Sequence, residues 1–239
     1  MALGLALMMF YDGLVAGFDQ AICGNAIRVL GGNIHIHAQG YRARADQAPL
    51  LPLPDDQVVL QVVRAQPQTL AATRRINTGG LASSREGAFA VSITGIEPEV
   101  EKDVSLAARY VIAGRFLQND DGDMVFIGKG LADAMGVQVG DRIHLTGRST
   151  HQQMRQRTMT VIGIYDLGMP DLEKRTVYIS LSEAQTLYNL RGQVTEVAVE
   201  LKQLGQESQV IAALQPVLPG YEVESWENSF PELKAALQT

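Results

Sequence analysis

Gly114-Arg115-Phe116, Val125-Phe126-Ile127-Gly128-Lys129-Gly130-Leu131-Ala132 and Met135-Gly136-Val137-Gln138-Val139-Gly140-Asp141 are the stretches whose reading decides the fold. The apolar run at Val125 to Ile127 makes a strand, which passes directly into a short helix near 129 to 136. Gly136 stands where that helix needs a residue of positive φ to end it. Gly140-Asp141 then turns the chain into another strand opening at Arg142. Every signal here is strand, cap or turn chemistry, and none of its groups has the spacing of a catalytic set.

Working outward, further short β-type runs occupy 142 to 146, 158 to 165 and 176 to 179, with a second helix near 181 to 190. On the N-terminal side, strands are expected at about 70 to 80 and 88 to 95, with Gly79-Gly80 and Arg85-Glu86-Gly87 supplying turns. Before them lies a helix carrying Val58, Val59, Val62 and Val63, capped by Asp55 and stopped ahead of Pro67. Asn33-Ile34-His35-Ile36-His37 alternates, which puts Ile34 and Ile36 on a core face and His35 and His37 on an exposed one. Toward the end come a strand at Glu196 to Leu201, a helix at about 206 to 217 and a strand at Glu222 to Ser225. The expected fold class is α+β: residues 32–95 and 192–230 form an α/β subdomain, and residues 96–191 form an inserted β-rich subdomain.

Two helices flank this body. Leu14, Val15, Phe18, Ile22, Ala26 and Val29 keep helical spacing up to the break at Gly31-Gly32, so one helix is expected over residues 2 to 30. At 1.5 Å per residue it would extend about 40 Å. No Lys or Arg precedes Arg28, which speaks against a secretory signal with a basic start. The apolar run broken by Asp12 is shorter than the about 20 residues of a full membrane span. Two readings remain for residues 1–31, a buried core helix or the outer end of a transmembrane helix serving as a stalk. Pro231-Glu232-Leu233 opens a second helix over 231–239, with proline in its first turn. If the first helix leaves a membrane and the second returns to it, the body between them is a loop joining two spans.

With 46% hydrophobic residues among 239, the chain can build a sizeable core. A net charge of −6 with scattered Lys and Arg excludes a nucleic-acid footprint. The single cysteine, Cys23, excludes a disulfide framework and a cysteine-built zinc site. His35 and His37 could reach one ion from the same strand face, yet two ligands are too few, and His144 and His151 lie far off in sequence. Asp120-Asp121-Gly122-Asp123 lacks the spaced ligands of a calcium loop and reads as a solvated turn. No Walker A or G-x-G-x-x-G pattern occurs, Gly128-Lys129-Gly130 included, so ATP would be bound only by a separate ATPase subunit or domain. No G-x-S-x-G elbow surrounds Ser83-Ser84, and Glu97 with Glu99 forms no distinctive acid pair. The expectation is a non-catalytic chain with no cofactor-binding and no metal-binding residue.

Gly114, Arg115 and Phe116, then Gly128, Leu131 and Ala132, then Gly136, Gly140 and Asp141 follow the order "GRxF", "GxxLA", "LGxxVGD". In that order and spacing they resemble the signature of MacB-like periplasmic core domains in the FtsX superfamily of ABC permeases. Val161-Ile162-Gly163-Ile164-Tyr165-Asp166, Glu183-Ala184-Gln185, Ser225-Trp226-Glu227 and Val29-Leu30-Gly31-Gly32 extend the resemblance over nearly the whole chain. The stretch from Gly163 to Tyr188 is most similar to lipoprotein-releasing permeases of the LolC and LolE type.

The resemblance implies a porter-like α/β subdomain around the β-rich insertion, with the flanking helices continuing as transmembrane helices. It further implies a cytoplasmic ABC ATPase, a second permease subunit, lipoprotein or other envelope cargo, and a periplasmic chaperone or adaptor. The expected location is the extracytoplasmic face of the inner membrane. Within the loop Gly147 to Arg157, Arg148, His151, Met154 and Arg155 are candidate contacts for partner or cargo; this loop has no proline where one subtype carries a proline-containing hairpin that grips the chaperone. Rival readings within the family are export of peptides or small molecules and regulation of cell-wall hydrolases. Outside it, the rivals are a secreted binding protein and an enzyme with a scattered site.

Overall fold

A computed structural model describes residues 31–151 and 153–229. The helices expected over 2–30 and 231–239 fall outside the described residues. In chain order the first elements are β1 (Ile34–Ala38), α1 (Asp56–Arg64), β2 (Thr69–Ser83), β3 (Ala88–Ile96), α2 (Pro98–Glu101), α3 (Leu106–Arg109) and β4 (Val111–Gly114). There follow β5 (Met124–Gly128), α4 (Lys129–Met135), β6 (Arg142–Arg148), β7 (Met154–Tyr165), α5 (Pro170–Glu173) and β8 (Thr176–Ser180). The last are α6 (Leu181–Leu187), β9 (Glu196–Leu201), α7 (Glu207–Leu214), β10 (Tyr221–Ser225) and α8 (Trp226–Ser229). Among the described residues no helix is long and apolar enough to cross a membrane.

β1 lies between β10 and β9, and β9 pairs with the first part of β2, so that four antiparallel strands run in the order β10-β1-β9-β2. Ile34, Ile36, Val197 and Val199 are fully buried on one face, in a core shared with Val59 and Val63 of α1 and Val210 and Leu214 of α7. α1 turns its buried residues to the sheet at helical spacing. Asp55 does not cap it with its carboxylate as expected. Its backbone is left-handed, and its carbonyl accepts from Val58 N at 2.8 Å and Val59 N at 3.1 Å.

The second part of β2 enters a different sheet. β2 pairs with β3, β3 with β8, β8 with β5, β5 with β7, β7 with β6, and β6 returns to β2 through Gly80↔Gly147 to Ser83↔His144. These six strands close into a barrel, and closure leaves no free edge around the ring. Inside it Ile93, Ile127, Ile143, Leu145, Val161 and Ile179 are buried on the period of two. Outside it Phe126, fully buried, meets Phe116 edge-on at 5.1 Å and tilts against Tyr165. β4 extends β7 away from the ring.

Hydrogen bonding therefore changes sheet within β2, where Arg75 pairs with Glu196 of β9 and Ile76 with Gly95 of β3. β3, grouped by the sequence with residues 32–95, bonds to strands of the middle segment. Gly79-Gly80, expected as a turn, lies inside β2. A Cβ at Gly80 would run into the Thr146 carbonyl, so the close approach of β6 explains the glycine. The middle segment also carries more short helices than the two expected, with α2, α3 and α5 besides α4 and α6.

The two ends of the described chain meet. Ile34 pairs with Ser225, and Trp226 N donates to Asn33 O at 2.9 Å, so the chain enters and leaves the four-stranded sheet side by side.

Candidate functional site

The family-type motif builds the barrel wall. Gly114 ends β4 at φ 68°, and Gly136 closes α4 at φ 62°, as its position at the helix end requires. Arg115 pairs bidentately with Asp121, at 2.8 and 2.7 Å, and also donates to the Phe116 carbonyl. Asp121 is buried, so the Asp120-Asp121-Gly122-Asp123 turn is solvated only in part. Burial works to raise the Asp121 carboxyl, but the Arg115 guanidinium and the Gln118 amide hold it below the usual range. Gly128 leads β5 into α4, whose Leu131 and Ala132 are buried in the core. Gly140 N donates to Val161 O and Val161 N to Asp141 O, both at 2.9 Å, which welds the turn before β6 to β7.

The candidate contact loop is mostly ladder. β6 and β7 pair from Arg142↔Thr160 out to Arg148↔Met154, leaving only 149–153 between them. Pairing of β6 with β2 stops at Gly147, so the tip projects beyond the barrel. Residues 142 to 157 hold Arg142, Arg148, Arg155 and Arg157 with His144 and His151 and no Asp or Glu, in a chain of net charge −6. Arg157 is answered by Glu183 at 2.9 Å. Arg148, His151 and Arg155 are exposed, and Met154 is 62% exposed.

The tip is braced before any partner arrives. Ser149 N donates to Gln153 O at 2.9 Å, Thr150 N to Tyr188 O at 3.2 Å, and Asn189 Nδ2 to His151 Nδ1 at 2.9 Å. Such preorganisation lowers the ordering cost of binding. Beside the hairpin an open cleft of about 570 Å³ is lined by Arg44, Leu50, Leu81, Arg148 and Met154. Cations around half-exposed apolar side chains suit an acidic or amphipathic partner.

Tyr188 packs its ring against Gly147 beneath the hairpin, and its hydroxyl is buried without a hydrogen-bond partner. Tyr188→Phe is expected to leave the hairpin in place and to stabilise the chain by about 1 kcal/mol, because it removes an unsatisfied buried hydroxyl. A urea titration checks the sign; a loss of more than 1 kcal/mol would mean that the hydroxyl is satisfied.

A second cluster lies where the four-stranded sheet meets the barrel, and no sequence motif marks it. His35 and His37 are each only 3% exposed, which corrects the solvated face expected for them. The physical reason is Glu196 on the neighbouring strand. Its carboxylate lies 3.2 Å from His35 Nδ1 and 2.9 Å from His37 Nε2, and it accepts from Asn77 Nδ2 at 2.9 Å. Tyr41 stacks flat on His37 with ring centres 3.7 Å apart. Burial works to raise the Glu196 carboxyl, and the two imidazoles overcome it and hold it well below the carboxylate range. The cluster is a satisfied polar layer; among the described residues no three His, Cys, Asp or Glu side chains are arranged to hold a metal.

Next to Glu196 on β2, Arg75 reaches the other way, to both oxygens of Glu101, at 2.5 and 2.8 Å, and to the Gly31 carbonyl at 2.6 Å. A tandem partner, Arg74, points to the opposite face and binds Glu97 and Asp56.

Comparison with known proteins places these features in context. A family model described as the MacB-like periplasmic core domain matches residues 1–217. The lipoprotein-releasing system transmembrane protein LolC of Neisseria meningitidis serogroup B is 24% identical over 222 residues, which are 90% of this chain and 51% of that protein. The chain thus spans about half the length of this curated relative. Among solved structures, the periplasmic region of MacB from Actinobacillus actinomycetemcomitans superposes with a TM-score of 0.53 at 14% identity, covering 87% of this chain and 94% of that one. The extracellular domain of the noncanonic ABC-type transporter YknZ from Gram-positive bacteria gives 0.51 at 14% identity, covering 81% and 100%. At these identities the structural likeness is one of fold.

Proposed function

The chain belongs to the family of MacB-like periplasmic core domains, and on that premise we propose that it is the extracytoplasmic part of an ABC permease that handles lipoproteins or related lipidated cargo. In this reading a cytoplasmic ATPase drives the membrane part, a second permease subunit completes the transporter, and this domain passes the movement outward. The domain itself does no covalent chemistry.

The observation that carries the mechanical role is β2. It runs unbroken from the sheet that receives both chain ends into the barrel that holds the hairpin, a length of about 50 Å at 3.3 Å per residue. Displacement at the chain ends therefore reaches the barrel through one covalent strand. The neighbouring entry and exit of the chain fit a domain inserted between two membrane spans. Relatedness to a LolC protein supports lipoprotein as the cargo, and the basic, braced hairpin supports contact with cargo or with a periplasmic chaperone or adaptor.

Photocrosslinking from position 154 in the full-length permease tests the reading. The expected adduct is a lipidated protein or its soluble carrier. Adducts confined to a cell-wall hydrolase, or to peptides and small molecules, would move the function to another branch of the superfamily.

A further inference from the structure

We propose that Arg75 is a joint that locks the point where the chain enters the domain to the barrel side, so that the two move as one body. The entry is the Gly31-Gly32 elbow, with φ of 106° and 119°, a conformation that other residues rarely adopt. A Cβ on Gly32 would stand 2.9 Å from the Val199 carbonyl, and one on Gly31 would collide with the Arg75 guanidinium. The elbow is therefore shaped to receive that side chain.

Its two sides are fixed by different means. Toward the four-stranded sheet, Asn33 spends all four of its polar groups. Its amide donates to Val199 O at 2.8 Å, its carbonyl accepts from Trp226 N at 2.9 Å, its Oδ1 accepts from Leu201 N at 2.9 Å, and its Nδ2 donates to Glu207 at 2.8 Å. Toward the barrel, the described link is Arg75, which holds the Gly31 carbonyl with one nitrogen and the Glu101 carboxylate with the other two. Glu101 is buried, takes a further bond from Thr73, and ends the helix that directly follows barrel strand β3. Arg74 on the opposite face of β2 binds Glu97 at the start of that same helix, so the helix is gripped from both faces. A guanidinium suits this three-way bridge because its donors are planar and fixed, whereas an ammonium cannot reach carbonyl and carboxylate in that fork.

The use made of the joint rests on the permease reading; its existence does not. The test is amide hydrogen exchange on the 239-residue chain, comparing wild type with Arg75→Lys and Glu101→Gln. Exchange should rise at least about ten-fold at Asn33, Trp226 and Ser105 in both variants, as expected when a local opening loses a charge-assisted bond. Val161 and Gly140 in the barrel should stay within about two-fold, since local openings there are independent. Glu101 touches neither Asn33 nor Trp226, so acceleration there on Glu101→Gln is the signature that Arg75 carries the coupling. Unchanged exchange at Asn33 and Trp226, or equal acceleration at Val161, would overturn the proposal. Neither result depends on whether the full permease releases lipoproteins.

Discussion

Glu196→Ala is expected to destabilise the chain by about 3–5 kcal/mol at neutral pH, the loss typical of removing one partner from a buried polar pair. Glu196 is 3% exposed and serves three groups at once, His35, His37 and Asn77. Without its carboxylate both imidazoles and the amide keep their burial and lose their acceptor, which is the costly half of the hydrogen-bond balance. A thermal melt should shift down by roughly 2–4 °C for each kcal/mol in a chain of this size. Glu196→Gln should cost less, since a carbonyl acceptor remains.

The pH dependence follows from the direction of the shift. A carboxyl held below its unfolded value contributes its full stability above the unfolded pKa of about 4.3 and loses it as pH falls through the lower, folded value. The gap between wild type and Glu196→Ala should therefore be flat above about pH 5 and narrow only below about pH 4. A loss under 1 kcal/mol at pH 7, or a gap that closes near neutrality, would sink the assignment.

Reversing the hairpin charges should act on partners and leave stability alone. Arg148→Glu combined with Arg155→Glu is expected to cut the crosslinking yield from position 154 in the full-length permease at least about ten-fold, through repulsion of an acidic partner. Both side chains are exposed, so unfolding free energy should stay within about 0.5 kcal/mol. Adding salt to the wild type should move the yield the same way, because exposed charges are screened within about 10 Å at 0.1 M. An undiminished yield would take the hairpin out of the contact surface.

Much of the middle segment is legible from local chemistry. The strand at Val125 to Ile127, the helix ended by Gly136 and the turn at Gly140-Asp141 all lie where their residues demand, because each depends on neighbours in sequence. Strand partners are another matter. A period of two sets which face a residue takes and says nothing about the strand beside it, so neither the return of β6 to β2 nor the split of β2 between two sheets follows from Thr69 to Ser83. The four residues of β4 are too short a run to register as a strand. The loop at Gly147 to Arg157 is polar on both faces at its outer end, and polar alternation hides a ladder as well as apolar alternation announces one.

The His35, His37 and Glu196 cluster left one faint signal. In Thr195-Glu196-Val197-Ala198-Val199-Glu200-Leu201 every residue is buried, and two acids in so apolar a run ask for buried partners. Likewise Arg74 and Arg75 fall on opposite faces of one strand, so each needs an acid on its own side. Which acids answer is decided by the fold alone.

The adjacency of Gly31 and Trp226 has a mechanical consequence. β1 and β10 run antiparallel with their outer ends together, so a common pull on both ends draws each strand along its own axis. Relative to β9, β1 is then loaded in shear, with its rungs sharing the force, instead of being peeled open one rung after another. A domain tethered in this way can be tugged repeatedly by its anchors and keep its shape, which is the property a lever needs and a lid does not.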